Sequence, residues 1–264
     1  MRVCGPSVWG PPKDRAHALG VLRRAYELGC NFFDTADSYG PHIDEELIAE
    51  ALHQYPKDLV IATKGGLTRP RASRWDEDGR PEHLRRALEG SLKRLKLERI
   101  DLYQLHAPDP KVPFEESVGA LADLQREGKV RHLGVSNVSV RELEQARKIV
   151  PLVSVQNEYN LDNRGSDDVL KACERLKVAF LPWYPVGAGG ALRNAKIKMV
   201  AKKLGATPAQ VALAWTIRHP NVVAIPGASS VAQLEANAEA ADLELTLAEI
   251  EALERHTRSA HEIE

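Results

Sequence analysis

Short apolar runs alternate with longer amphipathic stretches along this chain, and no other sequence feature restricts the fold as strongly. The strand-like runs lie at 31–34, 59–63, 100–106, 130–136, 152–156, 179–183 and 222–226. Helical periods fill the intervals: Leu84, Leu88, Leu92 and Leu95 share one face, as do Leu19, Leu22 and Tyr26. Strands alternating with helices form βαβ units and a parallel sheet. Seven such runs, with 1–4 as the stub of an eighth, predict an α/β protein and a closed (β/α)8 TIM barrel rather than an open doubly wound sheet. The 264 residues fit the ~250 that such a barrel needs. No Pro/Ser-rich linker or composition break divides the chain, so a single domain over 1–264 is expected.

Charge and cysteine content narrow the class. With 36 Lys and Arg against 37 Asp and Glu, the net charge is −1, which lacks the basic excess of a nucleic-acid binder. At 43% hydrophobic residues the chain has material for a core and is not a disordered polyelectrolyte. Cys4, Cys30 and Cys173 are scattered without a CxxC pair, as expected of reduced thiols in a cytoplasmic protein. No apolar signal region follows Met1, and no uncharged run of ~18 apolar residues exists, so neither secretion nor a membrane span is expected. Thr207-Pro208 and Thr246 with Glu249 read as helix starts that serve packing.

In a barrel, function sits at the C-terminal ends of the strands and on the loops that follow. Those positions carry, in order, Asp34 and Tyr39, Lys64, His106, Ser136-Asn137 and Gln156-Asn157. Asp, Tyr, Lys and His at one mouth form an acid–base device. A phenol titrates near ~10, too high for ready proton donation at neutral pH. A buried ammonium at Lys64 would lower that value, Asp34 would keep Lys64 charged, and His106 would orient a substrate carbonyl. Positioned proton transfer of this kind accelerates a reaction ~10²–10⁴-fold. No metal-ligand or nucleophile–base constellation is evident, so something other than these side chains must supply the electrons. Singly, each residue is ordinary: a strand-end Asp or Lys is most often a turn residue, and Tyr39 before Gly40-Pro41 fits a turn aromatic. The inference rests on all four in order.

The motifs Asp34-Thr35-Ala36-Asp37-Ser38-Tyr39-Gly40, Thr63-Lys64, Asp101-Leu102-Tyr103-Gln104-Leu105-His106, Gly134-Val135-Ser136-Asn137 and Ile225-Pro226-Gly227-Ala228 resemble those of the aldo-keto reductase superfamily, over roughly residues 1–256. The resemblance implies an NADPH-dependent carbonyl reductase on a TIM barrel, with Asp34, Tyr39, Lys64 and His106 as catalytic tetrad. Tyr39 would be the acid in reduction and the base in alcohol oxidation. By the same matching, Ser136, Asn137 and Gln156 would hold the nicotinamide carboxamide, and Trp183 would stack on the ring where the family usually has Tyr. Gly187, with Gly189 and Gly190, would admit the pyrophosphate. No GxGxxG occurs, which speaks against a Rossmann site.

The adenosine end departs from the family pattern. Positions that carry Lys and Arg for the 2′-phosphate in many relatives are Gly227 and Gln233 here, in a segment that runs on to Asn237. Ser229, Ser230 and the helix start near Val231 would hold the phosphate instead. NADP is the expected cofactor and NAD the alternative. Segments around Trp9-Gly10-Pro11-Pro12 and Gln156-Asn157-Glu158-Tyr159-Asn160 resemble bacterial members that include pyridoxal reductases, implying an aromatic aldehyde such as pyridoxal. Trp9 and Trp75, both assigned to loops, would line its pocket or be plain loop aromatics. Two other readings compete. One is a cofactor-binding regulatory subunit resembling potassium-channel β-subunits. The other is a barrel impaired by a short or replaced first strand, because relatives carry an N-terminal hairpin and a fuller strand there; such a seam leaves backbone groups unpaired.

Overall fold

The computed structural model describes residues 3–190 and 192–255. They fall into two compact units, one within Met1–Val155 and Gly227–Val231, the other within Gln156–Pro226 and Ala232–Glu264.

In the first unit α1 (Arg15–Glu27) precedes β1 (Phe32–Asp34), followed by α2 (Ile43–Leu52) and β2 (Val60–Gly65). A hairpin of β3 (Leu67–Arg71) and β4 (Arg74–Glu77) comes next, then α3 (Pro81–Leu95), β5 (Ile100–Leu105), α4 (Phe114–Arg126), β6 (Val130–Ser136), α5 (Val140–Ile149) and β7 (Leu152–Gln156), whose last residue begins the other unit. Strands β1, β2, β5 and β6 pair in parallel, with Asp34 opposite Ala62, Lys64 opposite Gln104, and Gln104 opposite Gly134. Burial explains why these strands read as apolar runs: parallel strands are covered on both faces. The helices supply the cover, and Leu22, Leu84, Leu88, Leu95 and Leu124 are fully buried. Each such leucine stabilises the fold by roughly 1.5–3 kcal/mol. Leu92, expected on the same face of α3, is half-buried.

The second unit holds α6 (Asp167–Leu176), β8 (Ala179–Phe180), α7 (Ala195–Leu204), α8 (Pro208–Thr216), α9 (Val231–Ala238, whose first residue belongs to the first unit) and α10 (Leu247–Glu254). Its core is aromatic: Tyr159 stacks on Trp215 at 5.4 Å and meets Phe180 edge-on at 5.8 Å. The Trp215 indole donates to Glu254 at 3.1 Å. Thr207 and Thr246 form capping boxes with Gln210 and Glu249, at the two expected helix starts.

Three strand expectations are corrected. Met1 and Arg2 lie outside the described residues, and Val3 and Cys4 form no strand, so among the described residues no strand precedes α1. In the run 222–226 only Val222 pairs, as an isolated bridge to Phe180, because Pro226 and the turn at 219–222 leave no regular ladder. Trp75 lies on β4 of a hairpin, not in a loop. Burial pushes the Cys4 and Cys173 thiols up to about 12, so both are inert packing groups. Among the described residues, no helix is long and apolar enough to cross a membrane.

Candidate active site

Asp34 ends β1, and the chain then turns sharply to deliver Tyr39. Backbone bonds fix this turn: Thr35 N–H donates to Ala62 O at 2.8 Å, Asp37 N–H to Lys64 O at 3.3 Å, and Tyr39 N–H to Ala36 O at 3.1 Å. Gly40 has φ of +102°, and a Cβ there would lie 2.5 Å from that of Ile43, so the turn out of Tyr39 requires glycine. Its N–H reaches Val8 O at 3.2 Å, and its carbonyl accepts from Gly10 N–H at 2.7 Å, which ties the segment before α1 to the Tyr39 loop.

Lys64, fully buried on β2, is the hub. Its Nζ donates to Asp34 Oδ2 at 2.7 Å and to Thr35 O at 2.8 Å, and lies 3.5 Å from Tyr39 Oη. Gln104, two residues before His106 on β5, donates Nε2 to the other Asp34 oxygen at 3.3 Å and accepts from Ser154 Oγ at 3.1 Å. Gly134 stands between them: a Cβ there would lie 2.2 Å from Ser154 Oγ. Ser38 Oγ contacts His106 Nδ1 at 3.4 Å, which leaves Nε2 as the nitrogen presented to an incoming group. The Tyr39 and His106 rings meet edge-on at 5.7 Å.

The electrostatics settle each group's charge. Burial pulls Lys64 down, but the charge of Asp34, that of Tyr39 once it is ionised, and the bonds to both outweigh it and hold the ammonium above its ordinary value. Burial pushes the Tyr39 phenol up, and the opposing pull of Lys64 is weaker. The expected lowering of Tyr39 is therefore corrected: desolvation wins, and the phenol keeps its proton at neutral pH. Burial and then Lys64 drive His106 well below its ordinary value, so its imidazole is neutral. A charged ammonium, a protonated phenol and a neutral imidazole thus converge, a set able to donate one proton and orient one carbonyl.

Ser136 ends β6 and Asn137 follows it. Ser136 is buried, and Asn137, in the left-handed region at φ 58°, donates Nδ2 to His106 O at 2.9 Å and to Ser136 Oγ at 3.2 Å. Buried hydroxyl and amide groups here fit a carboxamide ligand. Gly227 and Ser229 are exposed and Ser230 is half-buried; the Ser229 carbonyl contacts His17 Nε2 at 3.1 Å, which anchors this segment to α1. In the second unit Gln156 is buried, and half-buried Trp183 donates its N–H to Asn157 O at 3.0 Å. The N–H groups of Gly187, Gly189 and Gly190 donate to Tyr184, Val186 and Gly187 carbonyls, so this turn uses internally the donors expected for a pyrophosphate. Gln233 is exposed and Asn237 half-buried, both on α9.

Sequence reasoning missed Gln104, Ser154 and Ser38 as partners of the tetrad. The signal for Gln104 was its i, i−2 relation to His106, which puts both on one strand face. It also missed a buried acidic group behind the Tyr39 turn. Thr35 Oγ1 donates to Asp44 at 2.9 Å, Thr63 Oγ1 to Glu45 at 2.6 Å, and Arg94 pairs with Glu45 at 2.7 Å. One oxygen each of Asp37 and Asp44 has no partner.

A model of the Aldo/keto reductase family matches residues 5–258, and the chain belongs to that family. It is 44% identical to an uncharacterized oxidoreductase of Schizosaccharomyces pombe over 93% of this chain and 81% of that protein. It is 42% identical to pyridoxine 4-dehydrogenase of Escherichia coli, over 93% of this chain and 88% of the enzyme. An aldo-keto reductase from Klebsiella pneumoniae, solved with NADPH, superposes with a TM-score of 0.80 at 30% identity, covering 92% of this chain and 85% of that one. The protein is an oxidoreductase enzyme of α/β class with the barrel-like strand–helix alternation that the sequence predicts.

Proposed function

We propose that the protein is a cytoplasmic, NADPH-dependent carbonyl reductase acting on aromatic aldehydes such as pyridoxal, with the reverse alcohol oxidation open to it. The observation that carries this reading is Lys64 Nζ held 2.7 Å from Asp34 and 3.5 Å from Tyr39. NADPH, when bound, supplies the hydride. Tyr39 gives its phenolic proton to the carbonyl oxygen as that oxygen becomes negative. Lys64, kept charged by Asp34, stabilises the phenolate that remains. His106 offers Nε2–H to the same oxygen and aligns it, as its neutral state allows. The bond that Gln104 donates to Asp34 and the one that Lys64 donates to Thr35 O keep Asp34 and Lys64 from swinging away. The family resemblance assigns cofactor contacts to Ser136, Asn137, Gly227, Ser229 and Ser230, and separately to Gln156, Trp183, Gly187, Gln233 and Asn237. Pyridoxal enters through the likeness to pyridoxine 4-dehydrogenase. A regulatory role alone is disfavoured, because the proton-transfer set is complete.

Tyr39→Phe tests the mechanism. We expect kcat for aldehyde reduction to fall by at least ~10² while NADPH still quenches protein fluorescence on binding. Full activity in this variant would overturn the assignment.

A further inference from the structure

Arg69 is a buried cation that no carboxylate meets among the described residues. Only 6% of the residue is exposed. It sits where the β3–β4 register shifts between Thr68 and Arg71, an irregularity that re-aims side chains. Nη1 donates to Val8 O at 3.2 Å, and Nη2 to Ser7 O at 3.2 Å and Ala72 O at 2.5 Å. Its Cζ lies 3.6 Å from the Trp75 ring centroid and 5.3 Å from that of Trp9. Burying a charge is costly unless fixed dipoles replace its water. Three carbonyls and two indoles do so for Nη1 and Nη2 while Nε has no partner, and the cation joins the hairpin to the segment that precedes α1.

That junction holds Trp75 at the tetrad. Its indole meets Tyr39 edge-on at 6.2 Å and His106 at 6.2 Å, and 39% of the residue is exposed. An aldehyde whose oxygen lies between Tyr39 Oη and His106 Nε2 must carry its substituent past this indole. We propose that Trp75 is a specificity-determining wall for flat aromatic substituents and that Arg69 is the positioning residue that holds it there. The assignment rests on the carbonyl-reductase reading above and names the element that selects its substrate class. A stacked ring gains from an indole more than a flexible alkyl chain does. Lysine would keep the charge of Arg69 but lose the plane and the fork that reach the three carbonyls.

The test compares kcat/KM for benzaldehyde and for propanal, with NADPH, in the wild type, Trp75→Ala, Trp75→Leu, Trp75→Phe, Arg69→Met and Arg69→Lys. The benzaldehyde-to-propanal ratio is expected to fall at least fivefold in Trp75→Ala and in Trp75→Leu, which keeps an apolar side chain but no ring, mainly through the benzaldehyde KM. Trp75→Phe restores it to within twofold of wild type. Arg69→Met and Arg69→Lys lower the ratio at least threefold. Fluorescence titration with NADPH checks that each variant is folded. A ratio within twofold of wild type in Trp75→Leu overturns the wall, and one within twofold in both Arg69 variants overturns the positioning role. A wild type that turns over neither aldehyde defeats the underlying reading as well, which separates the two failures.

Discussion

Asp37 stands two residues before Tyr39, buried, with one carboxylate oxygen unpartnered. Burial, and next the charge of Glu45, push its pKa from 3.8 up to about 8, against the pull of Arg94. The folded state therefore retains, between those two values, a proton that the unfolded chain has released. Stability falls as pH rises through that window and stays reduced above it. Asp37→Asn removes the titrating group, so the variant should melt higher than wild type at pH 8, with the gap closing as pH drops toward 4. Thermal melts at pH 4, 6 and 8 check this, and a gap that ignores pH refutes it. The same turn shows what residue-level reading catches. Asp34, Tyr39, Lys64 and His106 were legible because distinct chemical types recur at successive strand ends. The sign of the Tyr39 shift was not, because it depends on how much water the fold removes around the phenol. Gln104 and Ser154 were invisible for a related reason: a hydrogen bond across neighbouring strands depends on register, which one strand's sequence does not state.

Elements were more legible than partners. Runs 130–136 and 152–156 coincide with β6 and β7, since buried parallel strands announce themselves as apolar runs. The β3–β4 hairpin gave no such signal: Thr68, Arg69, Arg71, Arg74 and Asp76 break any apolar alternation, and Pro70 cannot donate to a ladder. The run 222–226 misled in the opposite sense, apolar but joined to Phe180 only by an isolated bridge at Val222, closed by the Val223 N–H. Helix starts carry chemistry that can be tested directly. Ser139 caps α5 by accepting from Glu142 N–H at 3.3 Å, while the Glu142 carboxylate accepts from Ser139 N–H at 2.7 Å. Ser139→Ala strips one orphan donor of its partner and should cost about 1 kcal/mol. Urea unfolding should show a lower midpoint with unchanged slope, and no change in midpoint would mean that water replaces the cap at no cost.

For the molecule as a whole, net charge limits how a dinucleotide is recruited. At −1 overall, the protein has little long-range field to draw in a polyanion, so recognition is local. The segment 225–237 contains no Lys or Arg. On the proposed assignment, serine hydroxyls and backbone N–H groups would distinguish NADPH from NADH, and such bonds lack the cationic partner that makes phosphate contacts strong. The preference for NADPH is accordingly expected to be real but modest, below about a hundredfold, or ~2.7 kcal/mol. Binding to the folded state alone raises stability by RT ln(1 + [L]/Kd), about 2.7 kcal/mol at a hundred times Kd. For a chain of this length each kcal/mol moves Tm by roughly 2–4 °C. NADPH at that concentration should therefore raise Tm by about 5–10 °C, and NADH at the same concentration by visibly less. Paired thermal melts decide the matter. A larger shift with NADH would make the serine segment a site for an unphosphorylated ribose, and would reverse the cofactor assignment while leaving Tyr39 and its partners untouched.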